Sequence, residues 1–152
     1  MWLRVFSPTA DEVPPATLAE HLHAAGLAVV PHFRGDEHGW TGGELVLPGG
    51  GTPVRLARYL TDVDDLRADL NTFAAELETM AYSPHHRPLM ERVIQTKQLV
   101  TIRRPLDHAD EIALDRAVEG VVRFLAAAGD GVYQIDGRGW FTAAGELLVE
   151  EH

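Results

Sequence analysis

Apolar positions along this chain fall into two spacings, one suited to strands and one to helices. Leu3 and Val5, flanked by Trp2 and Phe6, read as a first strand that Pro8 closes. Beyond Pro14 and Pro15, Leu18, Leu22 and Ala25 recur at helical spacing. A proline in the first helical turn costs little, because its missing N–H would have no partner there. Gly26 supplies an exit, and residues 27–30 read as a second strand. Residues 31–43 predict a long turn or a distorted hairpin, residues 44–47 begin a third strand, and Val54, Leu56, Tyr59 and Leu60 support a fourth.

The middle is helical in pattern. Thr61 and Asp64 have the spacing of a capping box, weakened because aspartate replaces the longer Glu or Gln. Leu66, Leu70, Phe73, Leu77 and Met80 then form one stripe. Ser83-Pro84 can open a further helix reaching Ile94, with Leu89, Met90, Val93 and Ile94 on its buried side. Residues 99–102 read as a strand. Leu114, Val118, Val121, Val122 and Leu125 mark the strongest helix, over residues 112–128. Residues 132–135 form a strand closed by the turn pair Asp136-Gly137, and a terminal hairpin joins Trp140-Phe141 to residues 147–149.

These elements occur in the same order twice. Gly39-Trp40 precedes Gly43-Glu44-Leu45, and Gly139-Trp140 precedes Gly145-Glu146-Leu147. The expectation is one α+β domain over residues 1–152, with imperfect β-α-β-β halves at 1–49 and 98–152. The halves form a mainly antiparallel sheet covered by helices, with 54–60 an added strand and 61–94 a helical insert between them. Convergent turn chemistry is the plainer explanation of the likeness.

Composition narrows the class. With 45% hydrophobic residues and no run long enough to span a bilayer, a folded domain without a membrane segment is expected. The opening residues soon meet Pro8 and acidic positions instead of forming a signal peptide, so the cytoplasm is the expected location. The absence of cysteine excludes disulfides, thiolate metal sites and a cysteine nucleophile. A single lysine among the basic residues points to a bacterial coding bias. A formal charge of −10 argues against nucleic acid. Between residues 87 and 104, however, Arg87, Arg92, Lys97, Arg103 and Arg104 are opposed only by Glu91, which suggests either a patch for an acidic partner or local charge balance.

Candidate chemistry is sparse. Trp40 and Trp140, at matching places in the halves, would suit opposite walls of a groove, with Glu44, Glu146 or Arg103 orienting a ligand. The plainer reading has both indoles filling core gaps. His32, Asp36, Glu37 and His38 are weak metal candidates that are close in sequence without a ligand motif. The loop around Asp107, His108, Asp110 and Glu111 is more simply a helix cap. Glycines 49–51 lack the Gly-Lys-Ser/Thr ending of a phosphate loop. No residue is assigned a catalytic role and no cofactor is expected.

The resulting expectation is a noncatalytic bacterial accessory or protein-interaction domain, with a protein partner, a small molecule or a second copy as its binding partner. The alternative is a small-ligand-binding domain with a groove between the halves. A metal-dependent hydrolase or lyase is a more distant third. The interaction reading favours exposed apolar residues such as Phe33, Tyr59 or Tyr133.

Overall fold

A computed structural model describes residues 1–151; His152, the last residue of the second half, lies outside the described residues. Eight strands and five helices follow in the order β1 (Trp2–Ser7), α1 (Pro15–Ala24), β2 (Val30–Asp36), β3 (Gly39–Val46), β4 (Val54–Leu60), α2 (Thr61–Asp64), α3 (Arg67–Thr79), α4 (His86–Ile94), β5 (Gln98–Arg103), α5 (Glu111–Ala128), β6 (Val132–Ile135), β7 (Gly139–Thr142) and β8 (Leu147–Glu150). The strands build one antiparallel sheet in the order β2-β3-β4-β5-β1-β6-β7-β8. The chain is thus a mixed α+β domain with an antiparallel sheet flanked by helices.

Period-two alternation sends side chains of each strand to opposite faces. On one face, Leu3, Val5, Leu45, Val54, Leu56, Ile102 and Ile135 pack under α1 and α5, which supply Leu18, Leu22, Leu114, Val118 and Val121. On the other, Phe6, Leu99, Val132, Trp140 and Val149 pack under α3 and α4, which supply Leu70, Leu77, Leu89 and Val93. Three layers result. The 18-residue α5 is fixed at its start by the Asp110 carboxylate, which accepts from the Ala113 N–H at 3.0 Å and satisfies one of the helix's free donors.

Both halves run strand, helix and three-stranded meander, but they cross the sheet in opposite senses. From central β1 the chain passes through α1 to the outer edge and returns inward through β2, β3 and β4. From central β5 it passes through α5 to the inner strand β6 and travels outward to β8. Local chemistry is shared at the Gly-Trp pairs. Gly39 (φ 106°) and Gly139 (φ 133°) both start a strand in a backbone region that L side chains rarely adopt, and an added Cβ would collide with Glu12 at the first and with the Val149 carbonyl at the second. The Gly-Glu-Leu copies differ: Gly43-Glu44-Leu45 lies inside β3, whereas Gly145-Glu146 lies in the loop before β8.

Boundaries that move from their sequence-based positions include the starts of β2 and β3. Residues 27–29 are not strand: the Leu27 N–H bonds back to Leu22 O at 2.9 Å, and Leu27 and Val29 anchor the exit of α1 in the core. Pairing starts only at Val30. Residues 31–43 are indeed a distorted hairpin, with an irregularity between Arg34 and Gly35, and β3 begins at Gly39, well before residue 44.

The helical insert covers only part of its face. Its apolar partners lie on β5, β1, β6, β7 and β8, so the same face of β2, β3 and β4, together with one end of β5, stays open. That asymmetry positions the candidate site.

Candidate functional site: the open half of the sheet

Strand register arranges the open face in two rows. One runs His32, Glu44, Arg55, Arg103 and Trp2 across β2, β3, β4, β5 and β1. The next, two residues along each strand, runs Arg34, Gly42, Ala57 and Thr101. Gly42 has no side chain and lies under the Arg34 guanidinium, while Ala57 and Thr101 carry short ones, so the second row sinks below its surroundings at Ala57 and Thr101. A depression of about 310 Å³ results, bordered by Arg34, Glu44, Arg55, Tyr59, Arg103 and Trp2. It continues past Arg55 and Arg103 into a second hollow of about 360 Å³, rimmed by Met1, Trp2, Arg104 and Leu106.

Charge on this face is unbalanced. Arg55 reaches Glu44 at 3.4 Å, with both side chains substantially exposed. Arg103 lies over the Trp2 ring, 5.6 Å from its centroid, in cation-π geometry. Among the described residues neither Arg34 nor Arg103 forms an ion pair. Arg104 is held at the edge instead, its Nε 2.8 Å from Asp115 Oδ1 on α5. Apolar groups interleave with these cations: Trp2, Tyr59 and Met1 are each about 40% exposed, and Leu106 is 81% exposed. Exposed apolar side chains grouped on one face mark contact surfaces where isolated ones do not.

A buried polar clamp fixes the other face of β4. Arg58 is 5% exposed, and its guanidinium donates to the carbonyls of Ala10 (3.0 Å), His38 (2.9 Å) and Trp40 (3.1 Å) and to Gln98 Oε1. Gln98 Nε2 in turn donates to the carbonyls of Thr9 (3.2 Å) and Asp11 (3.1 Å). Burial lowers the Arg58 pKa below the usual arginine value, while Glu12, Asp36 and Asp64 act in the opposite direction. The clamp ties the 9–13 loop to the sheet and makes β4 a rigid support for Arg55 and Ala57.

The two tryptophans do not share a groove. Trp40 is buried under α1 and donates from Nε1 to the Val13 carbonyl at 2.9 Å. Trp140 is buried on the opposite face, against Phe6 at a centroid distance of 4.9 Å. Each indole is the second residue of its strand, but the register shift opposite Arg34 and Gly35 turns Trp40 to the face opposite that of Gly42 and Glu44. Of the ligand candidates, Glu44 and Arg103 do come together, both bordering Arg55, whereas Glu146 sits at the far end in the loop before β8.

The metal candidates are also dispersed. His32 is on the open face, Asp36 closes β2 and caps the following turn through the His38 N–H (2.8 Å), and His38 Nε2 lies 3.6 Å from Glu37. Among the described residues no group of three or more His, Asp or Glu side chains is placed to hold a metal ion. The basic run at 87–104 scatters as well: Arg87 pairs with Glu91 at 3.8 Å on α4, Arg92 bonds the Asp130 carbonyl, and only Arg103 and Arg104 reach the hollows.

Sequence reading missed Arg34, Arg55, Trp2 and the low row of Gly42, Ala57 and Thr101. The alternation Arg55, Ala57, Tyr59 was a signal that these side chains share a face. What alternation could not supply was the pairing of β4 with β5 across the helical insert. Compared with protein-family models, curated proteins and solved structures, the chain matches none.

Proposed function

We propose that this chain is a noncatalytic protein-interaction domain whose contact surface is the open half of the sheet. The observation that carries this reading is the cluster of Arg34, Arg55 and Arg103 around a low floor, with Glu44 as the only acid among the residues lining the depression, in a chain of formal charge −10. Like charges at directly opposed strand positions cost stability, and Glu44 answers Arg55 alone, which leaves the Arg103 charge, over the Trp2 ring, available to an external acidic group.

The residue types favour recognition over catalysis. Guanidinium remains protonated at ordinary pH, so it holds an anion through a planar fork and does not shuttle protons. The depression stands at the floor of the roughly 300–1,000 Å³ range of small-molecule sites and is open, which suits a side chain projecting from a docked surface.

The test compares partner retention by the full chain after native purification. Wild type and Arg87→Glu, altered at an exposed helix position, should retain the same partner in a fixed ratio. Arg55→Glu/Arg103→Glu should lose it while remaining folded by circular dichroism. Retention indifferent to the double reversal, or no retained partner in any variant, counts against the reading. Light scattering of the purified chain identifies the case in which the partner is a second copy.

A further inference from the structure

The geometry points to a particular occupant for the open face, and this deepens the interaction reading on which it rests. We infer that the face docks an extended protein segment carrying acidic residues at i and i+4 and a large apolar residue at i+2. Arg55 and Arg103 are direct neighbours on β4 and β5, and Arg34 lies on β2, one row away. From strand spacing and rise, Arg34 stands about 14 Å from the midpoint of the Arg55–Arg103 pair. An extended segment places residues i and i+4 about 13 Å apart and on the same side.

Between the two cationic poles lies Ala57, on the floor of the depression that Thr101 extends. Residue i+2 of a segment crossing the strands obliquely would enter this depression over Ala57, beside Glu44. Small residues at the floor leave its volume empty, and an aromatic or long aliphatic side chain would fill it. At one pole two guanidiniums face a single carboxylate, which permits the charge-assisted, forked hydrogen bonds that arginine forms best. At the other Arg34 extends over Gly42, where no side chain obstructs it.

Charge complementarity selects this occupant over other polyanions. Long-range repulsion from a chain of charge −10 weakens capture of a densely charged nucleic-acid backbone or an anionic bilayer, whereas a short segment with two acids meets mainly the local field of the arginines. The apolar floor adds contact that a bare phosphate backbone cannot use.

Fluorescence anisotropy of the full chain tests this with four labelled probes: a peptide with Glu at i and i+4 and Trp at i+2, its Gln counterpart, the Glu peptide with Ala at i+2, and an oligothymidylate. Vesicles containing phosphatidylserine serve as a fifth, by sedimentation. The expected result is saturable binding of the first peptide, weakened at least roughly tenfold by either peptide change, by Ala57→Trp, or by Arg55→Glu/Arg103→Glu. Equal binding of the Gln or Ala peptide overturns the inference. Tighter binding of oligothymidylate or vesicles that Arg55→Glu/Arg103→Glu abolishes also overturns it, while leaving the open face as a binding surface. If no probe responds to the double reversal, the segment inference fails; the interaction reading then fails separately only if partner retention is equally indifferent.

Discussion

Arg55 and Arg103 stand directly opposite each other on adjacent strands of the open face, and among the described residues only Arg55 has a carboxylate within ion-pair reach. Two cations in register are an unfavourable cross-strand pair. Arg103 has only the Trp2 ring beneath it, and the floor beside the pair is formed by Ala57 and Thr101, which bring no charge. A sheet face selected only for folding would alternate charge here.

Arg103→Glu therefore separates stability from binding. It converts the repulsive pair into an attractive one at the loss of the Trp2 contact, so unfolding free energy should stay level or rise by up to about 1 kcal/mol. Urea denaturation checks this. A fall of more than about 1 kcal/mol would mean that Arg103 has a structural role.

Arg58, on the opposite face of the same strand, should behave in the reverse manner. Arg58→Met leaves the carbonyls of Ala10, His38 and Trp40 and the Gln98 side chain without their donor, and should cost about 3 kcal/mol or more. Arg58→Lys should recover only a minor part, since an ammonium cannot reproduce the planar fork. Denaturant midpoints of the two variants read this directly, and near wild-type stability of either would dismiss the clamp.

The separation of the tryptophans has its own energetic signature. Trp40→Phe orphans the Val13 carbonyl, whereas Trp140 Nε1 is buried with no hydrogen-bond partner among the described residues, so Trp140→Phe removes an unsatisfied donor. Both variants lose ring volume. Trp40→Phe should be the more destabilising by about 1–2 kcal/mol, and equal or reversed losses would contradict the pairing seen for the two indoles.

Burial raises the pKa of the Tyr133 phenol above its usual 10.0, with Arg123 and Arg138 acting to lower it. The folded state thus holds this proton more tightly than the unfolded chain does. Stability from the neutral phenol is complete below pH 10 and declines as pH climbs past that value. Unfolding midpoints measured through this range should fall less steeply for Tyr133→Phe than for wild type; parallel slopes would remove Tyr133 as a source of the alkaline loss.

Much of the fold was legible because period and punctuation agree. The α5 stripe, its Asp110 cap and the Asp136-Gly137 turn each follow from local chemistry. Residues 27–29 misled because Leu27 and Val29 are apolar for a different reason: they plug the core beside α1 without pairing. The Gly-Trp likeness was visible, but the opposite directions of the two meanders were not, because strand order is set by long-range pairing. For the same reason Arg103 and Glu44 were identified singly, while Arg55 between them went unnoticed. Only the placement of β4 beside β5 brings the three together.

The most direct measurement is a two-dimensional amide NMR titration of the isotopically labelled full chain with the Glu-x-Trp-x-Glu peptide. Shifts should concentrate at Arg34, Gly42, Arg55, Ala57, Thr101 and Arg103, and should vanish in Arg55→Glu/Arg103→Glu. Shifts confined to the groove between α1 and α5, around Leu22, Gly120 and Phe124, would contradict the assignment of the open sheet face as the binding surface.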